Sequence, residues 1–192
     1  MTSANVARAI KVDGLVGEPP KSACALVAKR LAEHAEARLL RVMFEGAVLV
    51  PVPRSSLHHE GSPWPGRSLC EAMHASGLGA AVVELLERRS PVRKAATAGR
   101  GMRPNADDHR RSLAVVLAVA VAGRRIVLVD DVVTTGAQLF GAAMAVREAL
   151  PGADVVGFAA VRTMSAGEVD ELLAPVVGTI ELFDDHRTHR EP

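Results

Sequence analysis

Arg-Arg-Ile-Val-Leu-Val-Asp-Asp-Val-Val-Thr-Thr-Gly, residues 124–136, is the segment from which the rest of the chain is best interpreted. Its four apolar residues, 126–129, predict a strand that is buried on both faces, because none of these positions is polar. After a short loop, apolar residues return at helical spacing, at Leu139, Ala142, Ala143, Val146 and Leu150. A buried strand that passes through a short loop into a helix is typical of parallel α/β sheets.

The polar residues between this strand and this helix suit a phosphorylated sugar. Backbone N–H groups at a helix N-terminus lack partners within the helix and lie at the positive end of its dipole, so they attract anions. The hydroxyls of Thr134 and Thr135 can donate to phosphate oxygens, and Gly136 lets the backbone come close. Asp130 and Asp131, expected where the strand ends, suit sugar hydroxyls or a Mg²⁺ ion with its waters. These groups together indicate a pocket for a phosphorylated ribose.

Residues 126–137 resemble the phosphoribosyl-pyrophosphate (PRPP) signature of the type I phosphoribosyltransferases: an apolar strand, two acidic residues and a Thr-Gly phosphate loop. The resemblance implies that Asp130 and Asp131 are catalytic and hold Mg²⁺, directly or through water. The residues that it assigns to the PRPP 5-phosphate are Val132, Val133, Thr134, Thr135 and Gly136. Two alternatives are an ordinary strand-turn-helix crossover and a receiver domain, whose Asp pair follows the first strand and has no such loop.

Length and composition indicate one domain, residues 1–192. This length suffices for one good-sized core, and 48% hydrophobic with 23% charged residues is typical of a soluble globular protein. A net charge of +1 and an aromatic content of 3% argue against nucleic-acid binding and base-stacking platforms. With two distant cysteines, no signal-peptide pattern and no apolar run long enough to span a bilayer, the expected location is the cytoplasm.

The rest of the sequence predicts strands that alternate with helices. Strands are expected at 47–52, 80–86, 113–121, 155–161 and 176–183, and helices at 21–39, 67–76 and 169–173. The N-terminal segment 1–45 is expected either to pack on the sheet or to form a hood over the substrate base, and 184–192 to be a charged tail. The turn at 123–125 is expected to join strands 113–121 and 126–129 as an antiparallel hairpin. The predicted fold class is α/β, in three layers, with a mostly parallel central sheet between helices.

Two further loops follow predicted strands at the carboxyl edge, where parallel sheets bind their ligands. The first follows strand 47–52 and carries Arg54 and Ser55, which could hold an anion. The second, residues 88–111, has eight basic and two acidic side chains, a net charge of +6. Its Gly and Pro residues argue against regular structure in its middle. A basic, flexible loop of this length suits a lid over a departing pyrophosphate, whose charge it would neutralise.

Both loops are similar to loops of the type I phosphoribosyltransferases. In that family the loop after the first core strand binds pyrophosphate, which implies this role for Arg54 and Ser55. Residues 50–53, Val-Pro-Val-Pro, resemble the same position in ComF-type members, the nearest group. The catalytic loop of the orotate enzyme contains an Arg-Lys pair, to which Arg93 and Lys94 are similar.

ComF relatives also carry an Arg and an Asn near the end of the catalytic loop, to which Arg103 and Asn105 are similar. The resemblance therefore implies that Arg93, Lys94 and Arg103 bind pyrophosphate. It further implies that Arg93 and Lys94 take part in catalysis, with the lid closed over the bound PRPP.

The implied function is an enzyme of nucleotide metabolism that transfers the phosphoribosyl group of PRPP to a nitrogenous base or amine and releases pyrophosphate. Members that use hypoxanthine or guanine carry an Asp at the site of Thr134, so we expect no efficient transfer to these purines. Two other functions stay open. One is a non-catalytic regulator or competence (DNA-uptake) protein that binds PRPP or a nucleotide, and the other is a DNA-associated protein that uses the basic loop. A homodimer is expected from the resemblance alone.

Overall fold

The computed structural model describes residues 3–17, 20–33, 37–93, 103–116, 118–121, 123–163, 177–184 and 187–191. The helices are α1 Ser3–Lys11, α2 Ala23–Glu33, α3 Arg38–Arg41, α4 Pro65–Ala75, α5 Ala106–Arg111 and α6 Ala137–Ala149. The strands are β1 Leu15–Val16, β2 Lys21–Ser22, β3 Val48–Pro51, β4 Ala81–Val82, β5 Leu86–Arg88, β6 Leu113–Val115, β7 Ile126–Val133, β8 Val155–Arg162, β9 Thr179–Leu182 and β10 Thr188–Glu191. Short 3-10 helices cover Val42–Phe44 and Ala118–Val121.

Four parallel strands form the central sheet, in the order β4-β3-β7-β8. β7 is an inner strand that pairs with β3 along 126–129 and with β8 as far as Val133. Residues 126–129 are fully buried, as their uniformly apolar sequence predicts. The protein is therefore an α/β protein with a parallel sheet flanked by helices, which confirms this part of the sequence-based prediction.

The sheet separates two hydrophobic clusters, because consecutive residues of a strand point to opposite faces. Val127 and Val129 face the cluster that contains the buried residues of α2 and α4. Ile126 and Leu128 face the cluster that contains the buried residues of α6 together with Leu86 of β5. None of the helices in the described part of the chain is long and apolar enough to cross a membrane.

Two predicted strands are interrupted in the structure. The predicted strand 80–86 is divided into β4 and β5, and the predicted strand 113–121 into β6 and the 3-10 helix Ala118–Val121. β5 and β6 pair antiparallel with each other. The predicted hairpin between 113–121 and 126–129 is wrong, because both edges of β7 are occupied, in parallel, by β3 and β8.

The carboxyl-terminal residues form an antiparallel hairpin of β9 and β10. β9 lies within the predicted strand 176–183, but β10 forms where the sequence predicts only a charged tail. The hairpin packs against the start of α6, since a Cβ atom built on Gly136 would come within 2.6 Å of Ile180 Cδ1. The helix predicted at 169–173 lies outside the described residues.

The N-terminal segment contributes packing helices. Of the helix predicted at 21–39, the structure gives α2 and the short α3, with residues 34–36 outside the described ranges. The inner side of α2 is buried in the same cluster as Leu69 and Met73 of α4. α2 therefore packs with α4 in the hydrophobic cluster on one face of the sheet.

Candidate functional site

The acidic pair lies on an extension of β7 beyond the end of β3. β3 ends at Pro51, which pairs with Val129, whereas β7 continues along β8 to Val133. Asp130 and its neighbour therefore lie within a strand and not at its end, which corrects the sequence-based expectation. The N–H of Val52 donates to Val129 O at 2.9 Å, so the loop that follows β3 begins directly beside the pair.

Asp130 is a buried carboxylate, with 5% of its surface exposed. Its Oδ1 accepts from the N–H of Asp131 at 3.0 Å and its Oδ2 from Nε2 of Gln138 at 3.1 Å. Burial raises the pKa of Asp130 well above its usual range and the charge of Asp131 raises it further, although these two hydrogen bonds oppose the shift. No cation among the described residues forms an ion pair with Asp130. A buried carboxylate without an ion-pair partner lowers the stability of the fold when it is ionised. Groups of this kind are common at functional sites.

Asp131 is only partly buried, and its side chain lies close enough to that of Asp130 to raise the pKa of Asp130. The thiol of Cys24, in the first turn of α2, also lies near the carboxylate of Asp131. Burial, Asp13 and the charge of Asp131 together raise the pKa of Cys24 to about 12. Ser22 Oγ donates to Asp13 Oδ1 at 2.6 Å, and this hydrogen bond fixes the residue just before α2 against Asp13. The two carboxylates are thus bordered by different helices, α6 and α2.

The predicted phosphate loop lies at the N-terminus of α6. Thr134 and Thr135 are exposed, and Gly136 occupies the N-cap position with φ 85°, in the left-handed region that favours glycine. No side chain of the described residues caps the first turn of α6. The N–H groups of that turn are therefore open to an anion. Val133 O accepts from the N–H of Thr163 at 2.9 Å, which fixes the start of the loop against the end of β8.

The loop after β3 and the beginning of the basic segment lie side by side, as their positions after neighbouring strands predict. The N–H of Val92 donates to Ser55 O at 2.7 Å, which places the exposed Arg93 next to this loop. Arg54 is exposed, and its Nη1 donates to Pro63 O at 2.7 Å. Lys94 lies outside the described residues.

The two ends of the basic segment also meet. A depression of about 390 Å³ is lined by Arg93 at one end and by Pro104 and Arg111 at the other. Arg103, just before Pro104, is exposed. Asn105 has a structural role that the sequence did not reveal: its side chain caps α5 by accepting from the N–H of Asp108 at 2.9 Å.

Arg88 has a position that its place in a basic run does not predict. It ends β5 with 5% of its surface exposed. Its Nε donates to Arg54 O at 2.8 Å, its Nη2 to Pro53 O at 3.0 Å, and its Nη1 to Ser112 Oγ. Burial lowers the pKa of Arg88 to about 10, while the negative charge of Asp130 acts in the other direction. Arg88 therefore keeps its proton at neutral pH and holds the loop after β3 with a charged group.

His109 gives the fold a defined sensitivity to acid. It is 5% exposed, and its Nδ1 has no hydrogen-bond partner among the described residues. Burial and the nearby charge of Arg88 lower the pKa of His109 to about 4, against a smaller opposing effect of Asp108. A histidine in the unfolded chain titrates near pH 6.5, so the neutral form stabilises the fold above that pH. This stability is lost as the pH falls from about 6.5 through about 4.

We expect His109 to lower the free energy of unfolding by on the order of 3 kcal/mol across this pH window. His109→Gln cannot titrate there, so its free energy of unfolding should fall less steeply with acid. Denaturant titrations of both proteins at pH 7 and pH 4.5 would measure the difference. Equal slopes with pH would contradict the assignment.

The donor set at the edge fits the predicted Mg²⁺ ion. Mg²⁺ is usually held by one or two carboxylates and completes its octahedron with water and substrate phosphates. Asp130 and Asp131 supply two adjacent carboxylates of this kind. No cluster of three or more His, Cys, Asp or Glu side chains that could hold a metal occurs in the described ranges.

Fold and site together define an α/β protein whose parallel sheet carries an acidic pair, an uncapped helix N-terminus and a basic segment at its carboxyl edge. Comparison of the sequence with models of known protein families and with curated proteins finds no match. The residue signature at 126–137 and the geometry of the edge are therefore the grounds for a functional proposal.

Proposed function

We propose that this protein binds PRPP with Mg²⁺ and transfers its phosphoribosyl group to a nitrogenous base or amine, with release of pyrophosphate. The observation that carries the proposal is a buried Asp130, without an ion-pair partner among the described residues, at the same sheet edge as the uncapped N-terminus of α6. A buried carboxylate of this kind is a cost to the fold. A ligand with a diol and a phosphate gives both groups a partner.

In this proposal the first turn of α6 and the hydroxyls of Thr134 and Thr135 bind the 5-phosphate. Asp130 and Asp131 accept from the ribose hydroxyls, directly or through Mg²⁺, and Asp131 is the more accessible of the two carboxylates. When bound, Mg²⁺ supplies charge neutralisation for the pyrophosphate oxygens. The negative charge of the acidic pair favours an oxocarbenium-like transition state at the anomeric carbon, so positioning and electrostatics supply most of the rate.

Pyrophosphate leaves toward the loop after β3 and the basic segment. Arg54 and Ser55 lie beside the start of that segment, as the hydrogen bond from Val92 to Ser55 supports. Arg93, Lys94 and Arg103 complete the cationic surroundings in the proposal. Fixed positive charge at the departing oxygens lowers the barrier, because the charge on these oxygens grows as the bond breaks.

A non-catalytic PRPP- or nucleotide-binding regulator is the second candidate. It is favoured by the structural use of several basic residues that a lid would need. Arg88 is buried, and Arg110 and Arg111 both form ion pairs with Asp107. Such a regulator needs the same phosphate loop but makes no demand on the basic segment.

The experiment that tests the proposal measures PRPP binding and pyrophosphate release. The protein is incubated with PRPP, Mg²⁺ and a panel of purine, pyrimidine and amine acceptors, and parallel samples contain a chelator. Release that requires both an acceptor and Mg²⁺ supports the enzyme. Binding of PRPP without release supports the regulator, and absence of PRPP binding refutes both the enzyme and a PRPP-binding regulator.

Thr134 restricts the acceptor. Its hydroxyl is exposed at the loop and cannot accept a proton at neutral pH, whereas the purine-salvage members carry an Asp there. General-base assistance is worth about 100-fold or more. We therefore expect hypoxanthine and guanine to react at least about 100-fold more slowly than the best acceptor of the panel. Comparable rates with either purine would contradict this prediction.

A further inference from the structure

Arg88 joins segments that are far apart in the sequence. One edge of its guanidinium group spans two consecutive carbonyls, with Nη2 on Pro53 O at 3.0 Å and Nε on Arg54 O at 2.8 Å. Its Nη1 donates to Ser112 Oγ, and that hydroxyl donates its own hydrogen to His109 O at 2.6 Å. The hydroxyl oxygen is thereby oriented as an acceptor for Arg88. Only a planar fork with several donors can make these contacts at once, and a lysine cannot.

The carbonyls of residues 52–55 are all held by the body of the protein. Val52 O accepts from Trp64 Nε1 at 3.1 Å, the next two carbonyls accept from Arg88, and Ser55 O accepts from the N–H of Val92 at 2.7 Å. By contrast, the N–H groups of Arg54 and Ser55 have no acceptor among the described residues. A loop whose carbonyls are bound and whose N–H groups are open is suited to an anion.

We infer that Arg88 is a positioning residue for pyrophosphate: its fork holds the carbonyls of Pro53 and Arg54 and thereby presents the N–H groups of Arg54 and Ser55 to the anion. The identity of the anion rests on the proposed function. Arg88 does not touch the ligand in this inference, since its guanidinium group is buried under the loop and each of its three nitrogen atoms already donates to an acceptor of the protein. It acts on pyrophosphate and not on the 5-phosphate, which binds at α6.

The test compares two ligands in the full chain. Arg88→Lys keeps the charge and the apolar stem but loses the fork, and Arg89→Lys is the matched control, because Arg89 is exposed and pairs with Glu87. Inorganic pyrophosphate and ribose 5-phosphate, each with Mg²⁺, are titrated calorimetrically into the three proteins. We expect Arg88→Lys to bind pyrophosphate about 10-fold or more weakly and ribose 5-phosphate within about twofold of the original protein. The control should bind both ligands normally.

Other outcomes overturn the inference in distinguishable ways. Equal weakening of both ligands assigns Arg88 a general structural role, and unchanged pyrophosphate binding removes any role for the fork. If the original protein binds neither ligand, the proposed function fails as well. Should Arg88→Lys not fold, Ser112→Ala replaces it, since this change removes one acceptor of the fork and leaves Arg88 in place. It should weaken pyrophosphate binding selectively by about threefold, and an unchanged affinity would overturn the inference.

Discussion

Asp130→Asn is expected to make the protein more stable at neutral pH and at least about 100-fold less active. The folded state raises the pKa of Asp130, first through burial and then through the charge of Asp131. The contribution of Asp130 to the free energy of unfolding is therefore fully present only below the pKa of this side chain in the unfolded chain, near 3.8. It is lost as the pH rises through the pKa of Asp130 in the folded protein. An asparagine removes the ionisation. Its amide oxygen can still accept from the N–H of Asp131, and Gln138 can turn its own amide oxygen toward the new NH₂ group.

The measurement is a pair of denaturant titrations, at about pH 4 and pH 8, together with PRPP-dependent pyrophosphate release. The gain in stability of Asp130→Asn over the original protein should be on the order of 1–3 kcal/mol at the higher pH and should shrink toward the lower one. Asp131→Asn should lose activity similarly with a smaller gain, because it removes the repulsion between the two carboxylates but not the burial of Asp130. Asp154→Asn is the matched control: its exposed carboxylate pairs with Arg125 at the opposite edge of the sheet. Unchanged PRPP turnover in the double variant of Asp130 and Asp131 would refute their role.

The features that the sequence predicted well are those that local residue patterns determine. A uniformly apolar run at 126–129 can only be buried on both faces, and it forms the inner strand β7. Gly136 follows two threonines and precedes an apolar helical pattern, and it takes the left-handed N-cap position of α6. The same reasoning placed the loop after β3 beside the basic segment, because parallel strands end at one edge.

The features that the sequence did not predict depend on pairing between distant segments. β7 continues through both aspartates because β8 is equally long and pairs with it. The polarity of Asp130 and Asp131 led the sequence-based prediction to end the strand before them. The two carboxylates also differ in burial, since Asp130 is buried and Asp131 only partly so, although they are adjacent in the chain. β5 pairs with β6 across the intervening basic segment, and this non-local pairing was not evident from either strand alone.

Arg88 is the instructive case among the site residues. Charge alone does not distinguish Arg88 from the other basic side chains of residues 88–111. The signal that was available is the alternation of Leu86, Glu87 and Arg88, which is buried, exposed and buried in the structure. An arginine on the buried side of a strand must find acceptors there, and the two carbonyls of the loop after β3 supply them.

Gly141→Ala is expected to destabilise the fold by on the order of 3 kcal/mol, although alanine is the better helix former. Gly141 lies where α6 crosses α5, and a Cβ atom built there would overlap Ala106 O and come within 2.7 Å of His109 Cβ. The nearest of these atoms belongs to the backbone of α5, so no rotamer change relieves the contact and α5 itself must move. Denaturant unfolding measures the effect directly.

The control separates this steric cost from the conformational cost of losing a glycine elsewhere. Gly77 has φ 80°, but apart from its chain neighbours no atom of the described residues lies within 4 Å of its ideal Cβ position, so Gly77→Ala should cost only about 1–2 kcal/mol. The displacement in Gly141→Ala should also reach the site, because α5 leads directly to Ser112, the side-chain acceptor of Arg88. Pyrophosphate binding should therefore weaken in Gly141→Ala and stay unchanged in Gly77→Ala. A neutral or stabilising Gly141→Ala would show that α5 does not pack on α6 in solution, and the anchoring of the loop after β3 through Ser112 would then lose its support.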